Sequence, residues 1–381
     1  MEVQGGQFIY SHDTGPMNSR QTNVLVAGAG PVGLTAALEL NRRGADVRLI
    51  EKSAVRSHLS KAVGINARSL ALLEPSGVTA RLLAAGLQIE HINIRNGNDI
   101  LVRVDFSRLP GPYNFMLSLP QSETERILEE ALHERGIVIQ RETELVGFTQ
   151  DNSRITARLS GGGTQSESAA DYIIGCDGAH STVRKTLGLG FAGERYPESW
   201  SLADIRMDWP LGHGDGNLFM GMGGGTLFVI SMPEGRFRVI ANAPDALALL
   251  PPGSHVSEVL WQTDFTVSLR QVKSYGHGRA YLAGDAAHIH TPAGGRGMNL
   301  GIEDASVLAE RMVTDELESY SRDRHKVGHQ VVRESDLQFR AANIRNPILK
   351  GVRNSVMRNV LSKECVQSRF RLRMAGLHPT P

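Results

Sequence analysis

Residues 23–51 read NVLVAGAGPVGLTAALELNRRGADVRLIE, and the order of features in this stretch decides the fold. Val24–Ala27 is a short apolar run, as expected of a buried parallel strand. Gly28-Ala29-Gly30-Pro31-Val32-Gly33 follows at once, then an Ala- and Leu-rich helix from Leu34 to Arg43. Gly44 stops that helix. Val47–Ile50 is the next strand, and it ends on Glu51. Each part has a task in a turn that holds a dinucleotide. Gly28 permits the tight turn, Gly30 lets a pyrophosphate approach the backbone, and Gly33 lets helix and strand pack closely. The helix start offers free N–H groups and partial positive charge to phosphates. Glu51, 18 residues past Gly33, is placed to accept from a ribose diol. A bare GxGxxG carries little weight; strand, turn, helix, strand and terminal acid in order carry much more. This unit alone does not separate NAD from FAD.

Two further phrases place glycine and aspartate at strand ends. Residues 171–184, DYIIGCDGAHSTVR, run from an apolar strand (Tyr172–Ile174) into Gly175-Cys176-Asp177-Gly178, and Ser181 is a candidate N-cap for the helix that follows. Asp177 either braces this corner or meets a nucleotide. Cys176 reads as a small buried residue, since no basic neighbour would lower its pKa. Residues 280–304, AYLAGDAAHIHTPAGGRGMNLGIED, end a strand on Gly284-Asp285, where α/β folds place ligand-binding groups. A glycine-rich stretch then opens a helix with Met298, Ile302, Ala305 and Ala309 on one face. The N–H groups from Gly297 to Asn299 are placed to stabilise an anion. His288 and His290 alternate as chelators can, but no third ligand is evident and no metal site is expected.

The rest of the chain bounds the classes. It has 381 residues, enough for two or three domains or one large interleaved one. With 41 Lys+Arg against 40 Asp+Glu, a dedicated nucleic-acid binder is not expected. No window is apolar enough for an integral membrane segment. The two cysteines fit a reducing, cytoplasmic setting. Residues 1–20 read as a polar, Gly-rich, flexible extension without a signal peptide, and Met17 is a second candidate start. Residues 344–381 read as a basic helical segment docked on the body with Arg and Lys facing solvent, in preference to a membrane-surface helix. Leu218–Met220, Thr226–Ile230, Phe237–Ile240 and Val259–Trp261 read as strands of an antiparallel sheet, separated by glycine turns at Gly221, Gly223–Gly225 and Gly235.

Taken together, Gly28–Gly33, Cys176-Asp177-Gly178 and Gly284-Asp285 resemble the class A flavoprotein monooxygenases, the aromatic hydroxylases built on the para-hydroxybenzoate hydroxylase fold. The resemblance covers roughly residues 21–345. NARSLALLEPSGV (66–78) and SLPQSETERIL (118–128) look like the branch acting on phenols and aromatic polyketides. It implies an α/β fold with a discontinuous Rossmann-type FAD-binding domain (21–86, 120–190, 277–343). A substrate domain (87–119, 191–276) carrying the antiparallel sheet is interleaved with it, and C-terminal helices follow. It implies non-covalent FAD, NADPH or NADH as co-substrate, and hydroxylation of an aromatic substrate by O2 through a flavin C4a-hydroperoxide. The implied cofactor-binding residues are Gly28, Gly30, Gly33, Glu51, Lys52, Lys61, Gln121, Asp177, Gly284, Asp285, Gly297, Met298 and Asn299. Glu51 with Lys52 would hold the adenosine ribose, Gln121 would touch FAD, and Asp285 would hold the ribityl chain. Asp177 would support the pyrophosphate and the passing nicotinamide, and the Met298 and Asn299 amides would face the flavin pyrimidine edge.

This chain departs from the family pattern in several places. Lys61 stands where relatives carry Arg, and Arg296 where Gln or Lys is common. The segment after Glu303 is shorter, so a trimmed helix pair is expected there. A thioredoxin-like domain of the kind many phenol and polyketide hydroxylases carry is not expected within these 381 residues. Phe219, Met220, Met222, Phe228 and Phe237 are candidates to line the substrate pocket, although core packing is the preferred reading for each taken singly. No catalytic base is assigned and the oligomeric state is not read. The alternatives left open are another flavin-dependent oxidoreductase on this scaffold, a non-catalytic FAD-binding protein, and a plain NAD dehydrogenase.

Overall fold

The computed structural model describes residues 3–4, 7–8, 22–56, 61–222, 225–292 and 294–377. The expected extension over 1–20 lies outside these, apart from the paired strands Val3–Gln4 and Gln7–Phe8. Residues 223–224, the Met222 side chain and residue 293 are also outside them.

Two large sheets organise the chain. The first has six strands in the order Ile139–Gln140, Asp46–Ile50, Asn23–Ala27, Tyr172–Gly175, Ala280–Leu282, Gly276–His277. The first five run parallel. Their apolar runs are buried because helices cover them: Val24, Leu25, Val26, Ile173, Ile174 and Leu282 are fully enclosed. The helix Pro31–Arg42 packs against both Gln121–Glu134 and Gly297–Thr314. Proline at its first position suits the fixed φ of a helix start. A three-stranded meander, Thr143–Gln150, Ile155–Gly161 and Thr164–Ala170, which the sequence reading leaves unassigned, precedes Tyr172–Gly175.

The second sheet has eight strands: His288–Ile289, His255–Gln271, Ala192–Asp208, Arg236–Ala241, Gly225–Met232, Gly216–Met222, His91–Asn96, Asp99–Asp105. All four runs expected to be strands lie in it. It is antiparallel except where Gly216–Met222 meets His91–Asn96, a parallel pair that a long connection permits. Leu87–Ile89 and Met116–Ser118 instead form a small sheet with Gly64–Ile65.

The segment after Glu303 lies in the helices Gly297–Thr314 and Leu317–Ala342, of 18 and 26 residues, joined by the short link Asp315–Glu316 with Asp315 left-handed at φ 59°. One expectation needs correction. In the C-terminal segment the basic residues do not all face solvent. Arg353 is buried with Nη1 donating to the Ala341 and Ala342 carbonyls, and Arg371 is buried beside Glu364 and Gln367. Free carbonyls at the end of the preceding helix draw the guanidinium inward. The helix Pro347–Val356 leaves Ile348 77% and Val352 56% exposed instead.

Candidate functional site

The register of the parallel sheet aligns three strand ends. Gly175 is paired with Ala27 on one side and Leu282 on the other. Gly28, Cys176-Asp177 and Gly284-Asp285 therefore leave the sheet at one edge, although the sequence separates them by more than a hundred residues at each step. Backbone bonds hold the edge closed: Gly28 N–H donates to Ile50 O, Cys176 N–H to Ala27 O, and Ala283 N–H to Gly175 O.

The three glycines of the first turn have distinct physical reasons. Gly28 has φ +101°, and a Cβ there would lie 2.5 Å from the Cys176 carbonyl oxygen. A Cβ on Gly33 would lie 1.8 Å from the Gly28 carbonyl oxygen. Gly30 is different: its backbone is extended (φ −78°, ψ −177°), and a Cβ would meet nothing within 4 Å. Gly30 is also the N-cap of Pro31–Arg42, and no side chain caps that helix. Uncapped amides beside an open backbone form a cradle for phosphate.

Around this cradle the expected residues fall into two sets. Glu51 accepts from Ala29 N–H (2.8 Å) and Ser53 N–H (3.0 Å), which pins its carboxylate to the turn; Lys52 is exposed beside it. Asp177 accepts through Oδ2 from the Thr182 and Val183 amides, while its Oδ1 is buried without a partner. Ser181 accepts from Arg184 N–H, as the sequence implies. Cys176 is half-buried, and its thiol is pushed well up by desolvation and by the neighbouring Asp177 and Asp304 carboxylates. Gln121 opens its helix, with Oε1 accepting from Ala62 N–H (3.3 Å) and Nε2 donating to Glu125 (2.9 Å).

The second set surrounds Gly284-Asp285. Gly284 is left-handed at φ +62°, and a Cβ on Gly301 would lie 2.5 Å from Val32 Cγ2, so the Gly297–Thr314 helix sits close against the first turn. The Asp285 side chain is accessible, yet the protein around it raises its carboxyl pKa by burial, against the pull of His288 and Lys61. Lys61 is exposed and its charge reaches Asp285. Gly297 and Met298 begin their helix without a side-chain cap. Asn299 is buried: Oδ1 accepts from Asn66 N–H (2.9 Å), and Nδ2 donates to Gly64 O (2.8 Å) and Gly295 O (2.9 Å). Its side chain thus ties the helix start to residues 64–66.

Sequence reasoning missed the groups that hold the two sets in place. Arg184 donates to Ala179 O (2.7 Å) and Ala286 O (2.9 Å), joining the second and third phrases, and its guanidinium stacks over Phe191. Asp304 is buried and accepts from Gly284 N–H (3.1 Å), His288 Nε2–H (2.6 Å) and Arg324 Nε–H (2.6 Å). Burial alone would raise its pKa; Arg324 and then His288 hold it below the usual carboxylate value. His288 Nε2 is thereby committed to Asp304 and His290 Nδ1–H donates to the Thr291 carbonyl (2.9 Å), while the other ring nitrogen of each is buried without a partner. Among the described residues no group of His, Cys, Asp or Glu is arranged to hold a metal ion. An aspartate on a helix face that is otherwise apolar was the available signal for Asp304.

On the eight-stranded sheet, strand alternation divides the candidate pocket residues. Met220 and Phe228 face the core shared with the six-stranded sheet, with Leu218, Ile230 and Met232. Phe219 and Phe237 point the other way, into a separate cluster with Trp209, Leu227 and Val239, so they are core residues and do not line a pocket under this sheet. The inward face also carries Arg238, fully enclosed. Its Nε and Nη2 donate to the two oxygens of Asp204 (2.6 and 2.7 Å), and its Nη1 donates to the carbonyls of Lys61 (3.0 Å) and Ala62 (2.9 Å).

The family described as FAD binding domain matches residues 21–221 and 244–335. The chain is 32% identical to 6-methylpretetramide 4-monooxygenase of Streptomyces rimosus over 95% of its own length and 70% of that protein's. It is 34% identical to pentachlorophenol 4-monooxygenase of Sphingobium chlorophenolicum over 83% of its own length and 64% of that protein's. These curated relatives are thus longer than the part the chain spans. The crystal structure of p-nitrophenol 4-monooxygenase PnpA from Pseudomonas putida DLL-E4 superposes with a TM-score of 0.86 at 26% identity, covering 94% of this chain and 98% of that one.

Proposed function

The chain belongs to the FAD binding domain family, among aromatic monooxygenases, and from that premise we propose that it is an FAD-dependent, NAD(P)H-consuming monooxygenase that hydroxylates a phenolic or polycyclic aromatic compound. The carrying observation is the convergence of three glycine–aspartate phrases at one sheet edge, with Gly30 open and the adjoining helix start uncapped. When bound, the flavin supplies hydride acceptance and activation of O2; the protein supplies binding, orientation and exclusion of water.

In this reading the amides after Gly30 bind the pyrophosphate, and Glu51, already fixed by Ala29 N–H, accepts from the adenosine ribose. Asp177 Oδ1, buried and unpartnered, takes a hydrogen-bond donor from the cofactor. Asp285 accepts from the ribityl hydroxyls. The first amides of Gly297–Thr314 stabilise negative charge on the reduced ring. Lys61, exposed and one charge from Asp285, meets the phosphates of a nicotinamide cofactor that docks transiently; Lys52 assists at the adenosine end. Among the described residues no second glycine-rich βαβ turn offers it a site of its own. No helix of the described residues is long and apolar enough to cross a membrane.

The test is direct. Purified protein should carry FAD released on denaturation, and phenols or polycyclic aromatics should stimulate NAD(P)H oxidation with formation of a hydroxylated product. Flavin-loaded protein that oxidises NAD(P)H with no product from any of them would favour another oxidoreductase on this scaffold. Protein that takes up no FAD on reconstitution would reject the proposal.

A further inference from the structure

The Asp204–Arg238 pair lies outside every role assigned so far. Sheet register places it. Asp204 is opposite Arg238 on one side and Trp261 on the other, and Arg238 is opposite Ile230. The next row on the same face reads Leu202, Ile240, Phe228 and Leu218. Of these, Ile240, Phe228, Leu218 and Trp261 are only half-buried. The face is thus an apolar, partly open wall interrupted by one ion pair.

The pair is asymmetric. The Arg238 side chain has no exposed surface, and its Nε, Nη1 and Nη2 all donate within the protein. Asp204 keeps 14% of its side chain accessible. Each carboxylate oxygen accepts one bond from Arg238 and retains capacity for another. The part of the pair that a ligand can reach is therefore an acceptor, already neutralised from behind, set in an apolar wall. Its position relative to the cofactor cleft is fixed as well. Arg238 grips the carbonyl of Lys61, the residue whose charge reaches Asp285.

We propose that Asp204 is a substrate-positioning residue: its carboxylate, held by Arg238, accepts the hydroxyl hydrogen of a phenolic substrate whose ring lies against Leu218, Phe228 and Ile240. The inference rests on the aromatic monooxygenase reading above. A carboxylate accepting from a phenol draws the O–H bond toward itself and raises electron density on the ring carbons ortho and para to oxygen. The proton stays on the substrate, so no base need accept it in this contact. Such a site prefers a phenol to its methyl ether, because the ether leaves the carboxylate desolvated and unpaired.

The test uses the flavin-loaded enzyme and two probes, 2-naphthol and 2-methoxynaphthalene, with binding read from the perturbed flavin absorbance. Flavin content is measured first, and its absence would count against the monooxygenase reading, not against this assignment. In the wild type, 2-naphthol should bind about 10-fold or more tighter than the ether, as loss of a hydrogen bond to a charged acceptor implies. Comparable affinities would overturn the assignment. Asp204→Asn, and the Asp204→Asn/Arg238→Met double variant that leaves no orphaned charge, should bring the ratio toward one and lower kcat/KM for 2-naphthol while keeping flavin. A purely structural latch would weaken both probes alike, so a ratio unchanged in either flavin-loaded variant also refutes it.

Discussion

Gly30→Ala and Gly33→Ala separate a glycine kept for a ligand from a glycine kept for the fold. At Gly30 the backbone is extended and an added methyl meets no protein atom within 4 Å. The apo-protein should therefore fold with unchanged stability, or gain about 0.4–1 kcal/mol from a less flexible unfolded chain. The methyl would occupy the approach to the uncapped helix start. Losing one charge-assisted bond to phosphate costs about 1.5–3 kcal/mol, roughly 10- to 150-fold in FAD affinity. At Gly33 the methyl would sit 1.8 Å from the Gly28 carbonyl oxygen. Backbone must move by more than an ångström, and overpacking of this kind costs about 1–3 kcal/mol or more, against the roughly 1 kcal/mol that alanine gains over glycine in a helix. Gly33→Ala should thus lower the apo melting temperature and FAD affinity together. The assay is thermal unfolding of flavin-stripped protein, followed by fluorescence-quenching titration with FAD. Wild-type FAD affinity in Gly30→Ala, or an apo stability as low as that of Gly33→Ala, would refute the reasoning.

Asp285→Asn should lower FAD affinity while leaving the urea midpoint of the apo-protein close to wild type, since the Asp285 side chain is exposed; flavin titration and urea unfolding on one preparation check both. Arg184→Gln removes the charged bridge between Ala179 and Ala286 and the stacking on Phe191, and should cost about 2–4 kcal/mol by urea unfolding. Burial lowers the His290 pKa to about 4. Its contribution is therefore complete above the unfolded value near 6.5, is lost as pH falls toward 4, and amounts to roughly 3 kcal/mol; His290→Gln should flatten the urea midpoint between pH 7 and 4.5. A thiol reagent at pH 8 should label exposed Cys365 in native protein and Cys176 only after denaturation.

The nucleotide-binding half was legible because local pattern and chemistry agree there. Val24–Ala27, the glycine turn and the strand ending at Glu51 each follow from residues within a few positions, and backbone sterics leave few alternatives. The two later phrases were legible for the same reason. What joins the phrases was not. Arg184, Asp304 and Arg324 act on partners up to 102 residues away, and nothing local marks an arginine as an internal clamp. Asp204 and Arg238 left one trace, charges at inward-facing positions of apolar strands, but the sequence does not show which face is inward. Phe219 and Phe237, for which core packing is the preferred reading, could not be told apart from Met220 and Phe228 for that reason: period two separates the faces without naming them. The meander from Thr143 to Ala170 escaped because its last strand, TQSESAA, is mostly exposed and polar.

The convergence of distant strand ends also makes the flavin part of the folding equilibrium. Asn23–Ala27 cannot complete its pairing until Tyr172–Gly175 exists, and that strand waits for Ala280–Leu282. A nascent chain therefore carries a finished glycine turn long before it carries a finished cofactor site. At the site proposed above, FAD would bind only when most of the chain is in place, and it would then lock that assembly. Free flavin at 100 times its dissociation constant would add about 2.7 kcal/mol to stability, a sizeable fraction of the margin of an ordinary domain. Cellular flavin supply would thus set how much of this protein survives proteolysis, as well as how much of it is active.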